Sequence, residues 1–211
     1  MNKKRIIVTS LVILLPMLAG IFMWNMLPES IPVHWNFEGE IDDYASKAFA
    51  VFGLPLIMLG AHLICSLATL ADPKTQNFNS KMLGIVLWIC PVLSILCMTA
   101  CYSASFGFDV RVEFIIPLFM GVLFLIIGNY LPKCKQNYTI GIKVPWTLNS
   151  EDNWNKTHRL AGIIWTAGSA IIIVGSFFKK AVIFTTFVPI VIMVFVPIIY
   201  SYLYYRKHGE K

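Results

Sequence analysis

The chain has 211 residues, of which 57% are hydrophobic and 13% charged, and its formal net charge is +6. Its mean hydropathy of +0.71 lies outside the range of soluble globular domains, and the residues between its apolar stretches are too few for a large soluble domain. The basic excess asks for no nucleic-acid partner, because Lys and Arg beside an anionic leaflet gain about 1 kcal/mol each.

Six windows contain no Asp, Glu, Lys or Arg: 6–28, 48–71, 82–108, 114–132, 160–178 and 181–205. Crossing the hydrocarbon core takes about 20 helical residues. None of the windows shows the alternation of barrel strands. The expected fold class is therefore all-α, a polytopic integral membrane protein with six transmembrane helices. Lys3, Lys4 and Arg5 ahead of the first window resemble a secretory signal, but no small-residue cleavage site follows around residues 24–28, so an uncleaved span is expected.

Counting Lys and Arg by loop gives the orientation. With the N-terminus inside, the inner side receives Lys3, Lys4, Arg5, Lys74, Lys81, Lys133, Lys135, Lys143, Lys156, Arg159, Arg206, Lys207 and Lys211. The outer side receives Lys47, Arg111, Lys179 and Lys180. The expectation is N-in/C-in, with loop 28–47 outside and loop 132–160 inside.

The outer loop 28–47 gathers Glu29, Glu38, Glu40, Asp42 and Asp43. His34 and Trp35, with Asp42 and Asp43 nearby, could bind a ligand or ion. A turn-rich loop folded over the bundle mouth, its path set by prolines and Gly39, is an equal reading. The acids would also attract a cationic peptide. His62 is the one His, Asp, Glu, Lys or Arg deep in any window. Such residues are functional candidates by default, and a neutral histidine hydrogen-bonded to a neighbouring helix is the other reading.

Cys65, Cys90, Cys97, Cys101 and Cys134 make an odd set, most of it inside spans, which argues against a disulfide framework. Cys90, Cys97 and Cys101 share a helical face and are expected to pack between helices. Pro16, Pro55, Pro91, Pro117, Pro189 and Pro197 fall inside windows and imply kinks. Trp24, Trp88, Trp165, Tyr200, Tyr202, Tyr204 and Tyr205 suit interfacial anchoring or packing. No internal repeat of the kind built into many transporters is visible.

Residues 140–162, IGIKVPWTLNSEDNWNKTHRLAG, form a polar island between long apolar segments. Pro145 ends any local strand. Ser150 or Asn149 can cap a helix with Glu151 and Asp152 in its first turn, and that helix can run directly into the fifth span. Trp154, His158, Ala161 and Trp165 then share one face, turned toward the bundle or the lipid boundary, while Asp152 and Lys156 are spaced for a weak ion pair. His158 and Arg159 could pass for catalytic residues. No HExxH, GxSxG or paired intramembrane carboxylate accompanies them, and Thr147 or Ser150 would be a poor nucleophile. A partner-binding or signalling surface ranks first, and an interfacial anchor with Arg159 on phosphate headgroups second.

Two runs then carry a resemblance. Gly141, Lys143, Pro145, Trp146 and Thr147, followed by Trp154, Lys156, Thr157, His158 and Arg159, are similar to the signature of the SdpI family, approximately GIRTPWTL and then WxKTHR. Lys143 and Val144 stand where that pattern has arginine and threonine, and lysine lacks the bidentate fork. Pro28, Pro32, His34, Trp35, Gly39, Asp42 and Lys47 resemble a domain of unknown function often found at the N-terminus of SdpI-like proteins. Two parts are expected: 1–72, a two-helix unit with the acidic outer loop, and 73–211, a four-helix region with motif 140–162.

The resemblance implies a bacterial membrane immunity protein that protects against a secreted antimicrobial peptide toxin. It also implies a possible signalling role, retaining a cytoplasmic autorepressor at the membrane. Peptide toxin, repressor and membrane lipids are the partners implied, with no cofactor, no metal and no catalytic residue. A peptide transporter or exporter, and a membrane enzyme acting on peptide or lipid, are the rival classes.

Overall fold

The computed structural model describes residues 3–208, so Lys211, counted above with the inner basic residues, lies outside them. The elements are α1 (Lys3–Ile13), α2 (Leu15–Phe22), β1 (Ser30–Trp35), β2 (Ile41–Ser46), a π turn (Phe49–Gly53) leading into α3 (Leu54–Leu70), α4 (Ser80–Ser105), α5 (Val112–Tyr130), a 3₁₀ turn (Leu131–Lys133), α6 (Pro145–Leu148), α7 (Glu151–Gly175) and α8 (Val182–His208). Six helical stretches are long and apolar enough to cross a membrane: Lys3–Phe22, Phe49–Leu70, Ser80–Ser105, Val112–Lys133, Glu151–Gly175 and Val182–His208. The protein is a six-span, multi-pass membrane protein. Its exposed Phe, Leu, Ile and Val side chains are those that lipid would cover.

The chain divides into two compact units, Met1–Leu70 with Leu83–Val112, and Ala71–Met82 with Glu113–Lys211. In the first, Pro16 and Pro55 sit at breaks in helical geometry as the sequence implied, whereas Pro91 lies inside an unbroken α4. Pro16 interrupts the first span between α1 and α2, and side chains of α4 donate to carbonyls around the break: Ser94 to Ile13 (2.9 Å) and Tyr102 to Pro16 (2.9 Å). Ahead of Pro55 the helix widens into its π turn, relieving the clash of a proline ring with the preceding turn. His62, 1% exposed, bonds Thr9 of α1 at 2.9 Å.

The acidic loop is more ordered than a turn-rich loop. It folds into an antiparallel hairpin of β1 and β2. Ile31, Val33 and Trp35 alternate, and this face packs on Leu27, Ala50, Val51, Met98, Cys101 and Tyr102. Asn36 starts the turn by accepting from the Glu38 and Glu40 N–H groups (3.0 and 2.9 Å), and Gly39 takes the left-handed φ of 86° that closes it. The Lys47 N–H bonds the Glu29 carbonyl, so alternation makes Pro32 and Tyr44 a non-hydrogen-bonded pair whose backbone groups face away from each other. Pro32 has no N–H there, and the Tyr44 N–H is capped by the Asp43 carboxylate at 2.8 Å.

In the second unit, close helix contacts are made at small residues. Gly128 faces Trp165 and Thr166, Gly162 faces Pro132, and Gly168 faces Met193 and Pro189. The Trp165 indole donates to the Met193 carbonyl (2.9 Å), and Phe124 meets Trp165 edge-on at 5.4 Å. The expected cysteine face is split: Cys101 is buried and Cys97 exposed, and the five cysteines are free.

Candidate functional site

The island builds a site within the second unit. Ser150 is the cap, its hydroxyl accepting from the Asn153 N–H (3.2 Å), and α7 runs unbroken from Glu151 to Gly175. Its buried face carries Asn153, Trp154, Thr157, His158, Ala161 and Gly162. Facing it is the irregular segment 134–144. Trp154, fully buried, donates its indole N–H to the Cys134 carbonyl at 2.7 Å.

His158 stacks on Trp154 at 4.0 Å and is held at both ring nitrogens. The Trp154 carbonyl lies 2.8 Å from Nδ1, and the Ile142 N–H donates to Nε2 at 3.0 Å. A carbonyl can only accept and a peptide N–H can only donate. The ring is therefore the neutral tautomer with its proton on Nδ1. Neither nitrogen is left for proton transfer or metal binding.

Gly141 makes this contact possible. Its φ is 122°, and a β-carbon there would come within 2.5 Å of His158 Nε2 and 3.0 Å of the Trp154 ring. Pro145 opens α6 from the extended Val144. Thr147, fully buried, accepts from the Val144 N–H (3.1 Å) and offers its proton to the Ile142 or Val144 carbonyl. Trp146 reaches α8, donating to Ser201 Oγ at 2.5 Å and packing on Tyr202 and Tyr205. Asn153 donates to the Ser201 carbonyl (2.9 Å) and accepts from Thr157 (2.9 Å).

Several residues outside the expected set complete the site. Asn137, 1% exposed, accepts from the Thr139 and Ile140 N–H groups and donates to the Lys135 and Ile140 carbonyls. Gln136 donates to the Thr147 and Leu148 carbonyls and accepts from Lys74. Asp72 accepts from the Lys74 and Tyr138 N–H groups and the Thr139 hydroxyl. Burial alone would raise its pKa, but the Thr139 hydroxyl and the Lys74, Tyr138 and Thr139 N–H groups outweigh that and hold the carboxyl below its usual range. Burial pushes the Cys134 thiol up to about 11, against the pull of Asn137, so it stays protonated and unreactive.

The expected ion pair is present, Lys156 to Asp152 at 3.2 Å, with Tyr204 bonded to both. Lys143 and Arg159 are exposed, and neither side chain joins a hydrogen bond or ion pair among the described residues. Among those residues no group of three or more His, Cys, Asp or Glu side chains could hold a metal.

The N-terminal run belongs to the other unit. Lys47 is buried and donates to the Trp24 and Leu27 carbonyls (3.2 and 3.0 Å), pairs with Glu29 at 2.8 Å and sits over the Trp24 ring. His34 and Asp42 meet across the strands at 2.6 Å, both solvent-exposed. Pro28 is exposed, Trp35 packs into the core, and Gly39 sits in the turn. Ser201, Asp72 and Gln136 were missed because their partners are remote in sequence, and Asn137, whose partners lie two or three residues away, because it shapes an irregular segment that follows no helical or strand period. The motif run itself carries no sign of them.

Two family models match the chain: the SdpI/YfhL protein family over residues 133–201, and a domain of unknown function, DUF1648, over residues 11–59. The chain is also 29% identical over 205 residues to "Immunity protein SdpI" of Bacillus subtilis (strain 168), covering 97% of each chain. No solved structure matches it. The chain thus carries a region that matches the SdpI/YfhL family at residues 133–201, with a region that matches DUF1648 ahead of it at residues 11–59.

Proposed function

We propose that this protein is a membrane immunity protein giving a bacterium resistance to a secreted antimicrobial peptide, and that it acts by binding and conformational change without catalysis. The observation that carries this is the alignment along 97% of both chains with a protein named for immunity. The site chemistry agrees, since the hydroxyl of Thr147 and both nitrogens of His158 are engaged in hydrogen bonds that a catalytic cycle would have to break. In this reading both termini face the cytoplasm and hairpin 30–46 faces the toxin. Its outer strand presents Ile41, Asp42, Asp43 and Tyr44 to solvent, a mixed acidic and apolar strip suited to a cationic amphipathic peptide. Site 134–162 holds the bundle in one of two states that the peptide binds unequally, and would present the docking surface for a repressor if one is retained.

The test is expression in a toxin-sensitive bacterium exposed to candidate secreted peptides. Survival should rise for a cognate peptide, whereas unchanged killing across the set would overturn the immunity reading. A repressor fused to a fluorophore should move to the membrane on peptide exposure. If it stays in the cytoplasm while protection persists, the sensing role fails and the immunity role stands.

A further inference from the structure

We infer that Lys133, Lys135 and Arg159 form a binding site for a phosphate-bearing anionic lipid headgroup at the membrane edge of the second unit. Three contacts set the register between α5, its 3₁₀ extension and α7: Gly121 on Ile172 and Ile173, Gly128 on Trp165 and Thr166, and Pro132 on Gly162. The two segments run antiparallel, each step forward on one matching a step back on the other. Continued past the Pro132–Gly162 contact, this register sets Lys133 opposite Ala161 and Lys135, two residues further on, at the level of Arg159.

The backbone under these cations is fixed. Trp154 holds the Cys134 carbonyl, and Asn137 holds the Lys135 carbonyl at 2.8 Å. Pro132 fits into the space left by Gly162, where a β-carbon would come within 2.5 Å of its ring. All three basic side chains are exposed. Lys133 lies over the Tyr130 ring at 5.1 Å, and none of the three pairs with a carboxylate among the described residues. The carboxylates of α7, Glu151 and Asp152, lie about two turns away, and Asp152 is engaged by Lys156 and Tyr204. Like charges brought together on a rigid frame repel unless an anion sits among them.

Depth in the bilayer selects the lipid. Ile163, 66% exposed, is one turn from Arg159 on the same stripe of α7, and Ala170, Ile171 and Val174 continue that stripe along the span. Acyl chains cover such a stripe, so the guanidinium one turn beyond its last aliphatic residue lies at headgroup level. A phosphodiester there would accept the planar fork of Arg159, with the two ammonium groups adding charge.

The experiment uses the full chain in nanodiscs of phosphatidylcholine with a minority of phosphatidylglycerol, followed by native mass spectrometry of the lipids retained on extraction. Each basic side chain beside an anionic surface is worth about 1 kcal/mol, or roughly fivefold in occupancy. Wild type should retain phosphatidylglycerol preferentially, R159Q and K133Q should each retain roughly fivefold less, and K133R/R159K should keep the preference. A wild-type preference persisting in K133Q/R159Q would overturn the proposal. So would an equal loss in K180Q, a lysine outside the site, or displacement of the lipid by inorganic phosphate at matched concentration, which would mark a free-anion site. K133R/R159K preserves the charge, so its failure to discriminate would count against the site even if the glutamine variants were too unstable to measure.

Discussion

Hairpin 30–46 and segment 134–162 are both polar insertions in an apolar chain, and they use their polar residues in opposite ways. In the hairpin the apolar face of β1 packs into the core while β2 is exposed at every position but Ala45, with His34 and Asp42 paired in solvent. One buried cation, Lys47, ties it to the carbonyls at the end of the first span. In the other segment the motif residues Trp154, Thr157, His158 and Thr147 are each at most 1% exposed and bond one another or the backbone around them. The first is a surface held on a single peg and the second is a lock. A motif in a membrane protein can therefore mark either the residues a partner meets or those that keep a loop folded, and exposure separates the two.

The largest expected effect tests the lock. Gly141→Ala adds a β-carbon against His158 and Trp154 at a φ that disfavours it, and strain with overpacking should cost about 3–5 kcal/mol. Thermal unfolding in detergent should drop sharply. The parallel change at the hairpin, Gly39→Ala, sits in a solvent-facing turn and should cost about 1 kcal/mol. Equal losses would erase the contrast between the regions.

Next comes Trp154→Phe, which keeps most of the ring but orphans the buried Cys134 carbonyl, for about 1–3 kcal/mol. Its signature should be faster amide exchange across 134–144 with hairpin exchange unchanged. Lys47→Met is the counterpart for the peg. It removes charge-assisted bonds to two carbonyls at a cost of about 1.5–3 kcal/mol, and limited proteolysis should then cut the hairpin while leaving 134–162 protected.

Asp72 gives a pH test. Its carboxyl is held below the usual range, so its contribution is present above the unfolded value near 4 and is lost as pH falls through the folded one. Exchange protection of Tyr138 and Thr139 should fall on acidification below about pH 4 in wild type, and should be weak and flat with pH in Asp72→Asn. The smallest effect belongs to Asp42→Asn, within about 0.5 kcal/mol in stability because the pair is exposed. A clear loss of peptide protection in that stable variant would support the hairpin as the face a toxin meets.

Much of this architecture was legible in the chain. Charge-free windows marked the spans, and Ser150 with Glu151 and Asp152 announced the start of α7. The face shared by Trp154, His158 and Ala161 followed from helical spacing. The hairpin left a weaker trace, in the alternation of Ile31, Val33 and Trp35 ahead of Asn36 and Gly39, because the crowd of acids and prolines around it also fits an irregular loop. What could not be read was the pairing. Asp72 with Thr139, and Asn153 with Ser201, join residues separated by 67 and 48 positions, and neither pair obeys a local period. Cys134 gave no hint that its carbonyl anchors Trp154, since any residue supplies that atom.

The pairing of Pro32 with Tyr44 has a further consequence. With no donor on the free side of β1 and the Tyr44 donor on the free side of β2 already engaged by Asp43, another strand finds no free N–H at that level of either edge. An incoming extended peptide gains little from its main chain there, and neighbouring copies crowded in one membrane are discouraged from zipping into a shared sheet. In the proposed reading, recognition on this face would fall to side chains, and exchanging Asp42 or Tyr44 on β2, or Phe37 in the turn, would retune which peptide is met without unmaking the hairpin.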